Sequence, residues 1–187
     1  MRRWANVLVI AVTVLAGTGI TATAAQAAPV EQSPSVAAVS AHGESDWVPV
    51  PVPPFERAAG VVCDFAVKGI PIVADLQKRT LSTYPDGTVR SELWVGPLIY
   101  DVTNESTGTH ATLDGSAWAV IVYNLDGSST WHLHGPLGLS VAAGMGNLPR
   151  GLYQVDGPSY TLELSPTGFR TLNLRHGSVK NICPRLA

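Results

Sequence analysis

The sequence predicts an all-β chain, an antiparallel meander closing into a barrel, with a β-sandwich as the alternative. Three observations predict it. Turn signals recur at Pro85-Asp86-Gly87, Thr107-Gly108, Asp114-Gly115, Asp126-Gly127, Asp156-Gly157, Pro166-Thr167-Gly168 and His176-Gly177, and Asp-Gly pairs permit the positive φ that tight hairpin turns demand. The runs between them have strand length and either alternate or are wholly apolar. No stretch after Phe55 sustains an i, i+3, i+4 apolar pattern over three helical turns.

Taken in order, residues 1–27 read as a secretory signal peptide. Arg2 and Arg3 give a positive start, the apolar run is densest from Val7 to Leu15, and Ala25-Gln26-Ala27 offers the small-x-small pattern that signal peptidase accepts. The dense apolar part falls far short of the roughly 20 residues that cross a bilayer. General secretion is expected over twin-arginine export, because Met1-Arg2-Arg3-Trp4 lacks the flanking pattern of that signal. The expectation is therefore an extracellular protein with no stable membrane insertion once the signal is cut. Residues 28–54 are rich in Ala, Ser, Val and Pro and end in Val48-Pro49-Val50-Pro51-Val52-Pro53-Pro54. That composition predicts a disordered linker with polyproline character, with a propeptide or docking segment as the other reading.

Residues 55–187 form the all-β domain. Cys63-Asp64-Phe65-Ala66-Val67 alternates, and Tyr160, Leu162 and Leu164 alternate with Thr161, Glu163 and Ser165, giving one buried and one wet face. Trp118 to Tyr123 is apolar throughout and predicts a strand covered on both sides. The two cysteines, Cys63 and Cys183, predict a disulfide in an oxidising compartment. It closes a loop of about 120 residues, and the chain-entropy argument gives such a loop roughly 5 kcal/mol. In a barrel the first and last strands are neighbours, so a bond between the extremities is expected to pin the closure.

Composition excludes some partners. Removing the signal takes away two basic residues and leaves ten basic against fourteen acidic, a net charge of −4, with no basic cluster anywhere. Nucleic-acid binding needs concentrated positive charge, so none is expected. A small molecule or a cell-surface component is the expected partner.

Few residues carry candidate chemistry. His132 and His134 share one face of a strand, as two metal ligands would, and the H-x-H resembles the start of a cupin metal site. Pro149-Arg150-Gly151 echoes the second cupin motif. No Glu follows His134 at the right distance and no His follows Gly151 at the right place, so a third ligand would have to come from His110, His176 or a carboxylate that the sequence does not place. Two solvent-facing residues opposite buried Trp131 and Leu133 are the plainer reading. There is no G-x-S-x-G elbow and no phosphate-binding glycine motif, and no cofactor is expected. Asp64, Asp75, Glu92, Asp101 and Glu163 are acidic without a pattern of paired carboxylates. Asp64 stands out beside Cys63, since an inward orientation there would raise its pKa by desolvation. The Gly-rich loop Ala142–Gly151 places Arg150 where it could rim a pocket. Asn104-Glu105-Ser106 is a formal glycosylation sequon. Trp94, Tyr100, Trp118, Tyr123, Trp131, Tyr153 and Tyr160 fall in expected strands, as core or as the lining of a cavity for a small apolar ligand. Trp94, Trp118, Trp131 and Arg150 are the candidate ligand-binding set.

Phe55-Glu56-Arg57, Cys63-Asp64-Phe65, Asn147 to Tyr153 and Ser165-Pro166-Thr167-Gly168 together resemble a group of small, uncharacterised secreted proteins of actinomycete bacteria. The resemblance covers most of the domain and implies no activity. The leading expectation is a non-enzymatic, disulfide-stabilised β-barrel that binds a small molecule or surface component. The alternatives are a cavity-based enzyme similar in form to barrel cyclases and dirigent proteins, and a structural envelope protein.

Overall fold

The computed structural model describes residues 46–187; the expected signal peptide and residues 28–45 of the linker lie outside the described residues. The strands are β1 (Val48–Pro49), β2 (Phe55–Arg57), β3 (Val67–Ala74), β4 (Gln77–Thr83), β5 (Val89–Val95), β6 (Leu98–Asn104) and β7 (His110–Asp114). They continue as β8 (Trp118–Tyr123), β9 (Ser129–His134), β10 (Leu137–Val141), β11 (Gly151–Asp156), β12 (Tyr160–Leu164), β13 (Arg170–Leu174) and β14 (Ser178–Asn181). A single turn of helix, α1 (Cys183–Leu186), ends the chain.

All pairings between these strands are antiparallel, and they sort into three sheets; one isolated bridge, Gly146 with Arg170, is parallel. Sheet A has seven strands in the order β1-β4-β5-β8-β9-β12-β13, sheet B runs β2-β3-β6-β7, and sheet C runs β10-β11-β14. Sheet A is built from three hairpins with one turn design. In the first, Tyr84 N donates to Thr88 O and Gly87 N to Tyr84 O; Asn124 to Ser128 and Ser165 to Phe169 repeat the pattern. Gly87, Gly127 and Gly168 take φ of +86°, +84° and +84° there, a region in which a Cβ is strained. In the first two turns an aspartate carboxylate also accepts from the backbone N–H two residues on, Asp86 from Thr88 and Asp126 from Ser128, both at 2.9 Å.

Between these hairpins the chain leaves sheet A, and three of the crossings pass through Gly-Pro, whereas the return from β7 to β8 runs through Gly115-Ser116-Ala117. Gly96-Pro97 takes β5 into β6 of sheet B. Gly135-Pro136 takes β9 into β10 of sheet C, and Gly157-Pro158 brings β11 back to β12. Proline removes the N–H that would extend the ladder, and glycine allows the sharp change of direction. At Gly96 (φ +125°) a Cβ would stand 2.1 Å from Asp75 O, so no side chain fits.

This path overturns the expected barrel. A closed meander needs each strand to bond to the one before it, whereas here successive hairpins go to different sheets, and no sheet closes on itself. Among the described residues the chain is all-β, with three antiparallel sheets. Two buried clusters lie between them. One joins the inner face of sheet A (Ala119, Ile121, Leu133, Leu162) to Leu139, Val141, Tyr153 and Val155 of sheet C. The other joins sheet B (Val67, Val102, Ala111, Leu113) to Leu152, Ile182 and Leu186. Side chains of β11 alternate between the clusters, which makes β11 the strand buried on both faces. The sequence assigned that place to β8. Trp118 is exposed and Val120 and Val122 are half-buried, because among the described residues no sheet packs on the outer face of sheet A.

Cys63 and Cys183 form the disulfide, 120 residues apart with Cα atoms separated by 5.5 Å, inside the second cluster. It joins the turn before β3 to the start of α1 and so ties sheet B to the end of sheet C. The expected role as a clasp between neighbouring terminal strands is corrected accordingly: β1 lies at the edge of sheet A and β14 at the edge of sheet C. Cys63 to Ala66 is a series of bends rather than a strand. Residues 46–54, which the sequence places in the linker, pack on the domain. Val48 and Pro49 pair with Lys78 and Gln77, Val50 N donates to Leu76 O at 2.8 Å, and the Arg79 guanidinium lies 5.0 Å from the Trp47 ring centre. An edge strand tolerates proline because only one of its sides must bond.

Candidate functional site

Where the three sheets meet they leave a cavity of about 290 Å³. The register explains its wall. On the inner face of sheet A, Trp94 stands opposite Ala119, and Ile121 opposite Trp131; small Ala119 leaves space that the two indoles flank. Their ring centres are 6.3 Å apart and their planes tilt by 37°. Sheet B contributes Phe55, Arg57, Tyr100 and Leu113, and sheet C contributes Leu137, Gly138, Ser140 and Leu152. Gly138 has a packing reason: a Cβ there would come within 2.8 Å of the Leu113 side chain.

The polar atoms of the lining aromatics are engaged elsewhere. Trp131 Nε1 donates to Ser129 Oγ at 3.1 Å, and Tyr100 Oη to Pro53 O at 3.2 Å. Trp94 Nε1 donates to Glu92 Oε2 at 2.9 Å. Ring faces and aliphatic carbon therefore make up most of the wall, and Arg57 and Ser140 are the other lining residues with polar side chains.

Glu92 organises the ground behind Trp94. Its residue is only 4% exposed, and three donors meet its carboxylate: Lys78 Nζ at 2.8 Å on Oε1, with Trp94 Nε1 and Tyr123 Oη (2.8 Å) on Oε2. The Lys78 ammonium also lies 5.6 Å from the Trp94 ring centre. Burial pushes the Glu92 carboxyl up, but the hydrogen bonds from Lys78, Trp94 and Tyr123 outweigh it and hold it below the ordinary glutamate range. Burial, and secondly the bond to Glu92, raise the Tyr123 phenol well above its ordinary value. With three donors converging on one buried carboxylate, this cluster fixes the angle of an indole that faces the cavity.

The candidate ligand-binding residues separate. Trp94 and Trp131 line the cavity. Trp118 stands on the outer face of sheet A, across from His134. Arg150 lies beside the disulfide, where its guanidinium bonds the Asp64 carboxylate and donates to Gly60 O at 2.8 Å. Asp64 is thus a surface carboxylate, its side chain 87% exposed, and the inward orientation is not found. His132 and His134 share the exposed outer face of sheet A, flanked by Val120 and Thr161 and by Trp118, and His134 Nδ1 bonds Pro158 O. His110 pairs with Asp101 at 3.1 Å on sheet B. Among the described residues no three His, Cys, Asp or Glu side chains gather as a metal would require. Asn104 is buried and donates to Leu186 O at 2.9 Å, so the sequon offers no free amide.

Sequence reasoning missed the part played by Glu92 and Arg57. A signal was present for each: Glu92 sits two residues before Trp94 on one face of a strand, and Arg57 two residues after Phe55 on another. Comparison with protein-family models, with curated proteins and with solved structures returned no match.

Proposed function

We propose that this is a secreted, disulfide-tied β protein that takes a small apolar molecule into the cavity between its three sheets. The observation that carries the reading is the wall itself: two indoles and a phenol ring whose polar atoms are already bonded, leaving an apolar space beside a few polar groups. Binding sites for small molecules have that composition, and this cavity lies near the lower end of their size range. The volume corresponds to about ten non-hydrogen atoms if each takes the space of a liquid water. Export is supported by the signal-like N-terminus and by a disulfide, which persists in oxidising compartments. The wall holds no carboxylate, imidazole or thiol, so the reading is binding rather than turnover.

Octan-1-ol has the right size to test it by titration calorimetry. Burying its chain is worth at most about 6 kcal/mol, so the dissociation constant should be no tighter than tens of micromolar. One molecule should bind per chain, with a negative heat-capacity change. Absence of saturable binding up to the solubility of the alcohol would overturn the proposal.

A further inference from the structure

We infer that the molecule held in the cavity is an amphipathic carboxylate, its apolar body between the indoles and its head group on Arg57. The inference rests on the binding reading above and adds the charge of the ligand. Arg57 is the last residue of β2 and pairs with Val67, a fully buried residue of the second cluster, which places its side chain on the inner side of sheet B. Phe55, two residues earlier on the same face, packs on Tyr100 with ring centres 5.2 Å apart. The guanidinium lies 5.4 Å from the Phe55 ring centre, and one Nη1 hydrogen bond reaches Glu56 O at 2.8 Å. The rest of its five-donor fork is free of partners among the described residues.

Acidic side chains nearby do not serve it. Glu56 turns outward to Lys68 at 2.9 Å, Glu92 is held by Lys78, and Asp64 by Arg150. A half-buried cation is thus set in an apolar wall without a counter-charge among the described residues. Partly desolvated charge of this kind gains most from an opposite charge delivered with the ligand. A guanidinium offers two parallel N–H donors that match a carboxylate. The Ser140 hydroxyl is the other polar group that a head group can use. No anion is needed deeper in the cavity, where the wall is carbon.

Three probes with the same eight-carbon chain distinguish this from the binding reading itself: octanoate, octan-1-ol and octylammonium, each titrated into the purified full chain at pH 7. The expected order is octanoate, then octan-1-ol, then octylammonium, with octanoate about ten-fold or more tighter than the alcohol. Arg57→Gln should remove that preference, bringing octanoate to the affinity of octan-1-ol or below for the same variant; Arg57→Lys, which keeps the charge but not the fork, should retain part of it. Equal binding of octanoate and octan-1-ol by the unaltered chain overturns the assignment of Arg57 while leaving the cavity reading intact. Failure of all three to bind refutes the cavity reading. If Arg57→Gln does not fold, the order on the unaltered chain and on Arg57→Lys still decides.

Discussion

Replacing Glu92 by Gln keeps the shape of the side chain and removes its charge. The carboxylate accepts three hydrogen bonds, from Lys78, Trp94 and Tyr123, and bonds to a charged group contribute about 1.5–3 kcal/mol each. Glutamine can still accept from the Trp94 indole and the Tyr123 hydroxyl through its carbonyl oxygen. Its NH₂ group then faces the Lys78 ammonium, which is 35% exposed and can turn to water. One ion pair is lost and two charge-assisted bonds become neutral ones, so the expected cost at pH 7 is roughly 2–4 kcal/mol. That is a large part of a domain's net stability. The carboxyl sits below its ordinary range in the folded protein. Its contribution is therefore complete above the unfolded pKa, near 4.3 by ordinary values, and is lost as pH falls through the folded value. Urea denaturation of both proteins, followed by circular dichroism from pH 7 to pH 2, should show the gap narrowing across the acid range. A gap under about 0.5 kcal/mol at pH 7 is what surface substitutions give, and it would refute the role assigned to Glu92. So would a gap that does not change with pH.

Other perturbations separate the remaining parts of the structure. Cys63→Ser removes a bond closing a 120-residue separation, and should lower the stability to urea by about 5 kcal/mol; a loss below about 1 kcal/mol would contradict the chain-entropy assignment. Ala119→Leu directs three further carbons at the cavity, and calorimetry should show octan-1-ol binding weakened about ten-fold or more in a chain that still folds, since the added volume enters a void rather than a packed core. Arg150→Ala breaks an exposed pair with Asp64 and should change the thermal midpoint by no more than the equivalent of about 1 kcal/mol. Adding zinc should leave the melting temperature of the unaltered chain and of a His132→Ala, His134→Ala double variant equally unmoved, because among the described residues no third ligand gathers near those two imidazoles.

Much of the secondary structure was legible because hairpin chemistry is local. Asp86-Gly87 and Asp126-Gly127 mark turns that the structure contains, and the alternation from Tyr160 to Leu164 sets one face in the core. The cysteine pairing could be read because only two cysteines exist. Sheet assignment was harder to read, since it depends on which hairpin packs on which. Still, the Gly-Pro pairs at 96–97, 135–136 and 157–158 marked three of the crossings between sheet A and another sheet, though not those from β7 to β8 and from β13 to β14. Their effect was overlooked because each resembles an ordinary turn when read alone. The linker boundary failed for a related reason: Val48-Pro49-Val50 has no periodicity of its own and gains its order from the edge of β4. Trp118 and Trp94 look alike in sequence, each beginning or ending an apolar run, and only the register of β5, β8 and β9 puts one indole inside and the other outside. Arg57 and Arg150 are both isolated basic residues; the first reaches an apolar wall and the second a surface carboxylate because of contacts made far away in the chain.

The indole N–H signals of the tryptophans, assigned by single Trp→Phe variants in a nitrogen-edited NMR spectrum, give the most direct test of a ligand space between the sheets. Saturation with octan-1-ol should shift the Trp94 and Trp131 signals and leave Trp47 and Trp118 in place. Movement of Trp118 or Trp47 with Trp94 and Trp131 stationary would put the binding surface outside the sheets and contradict the assignment of the cavity.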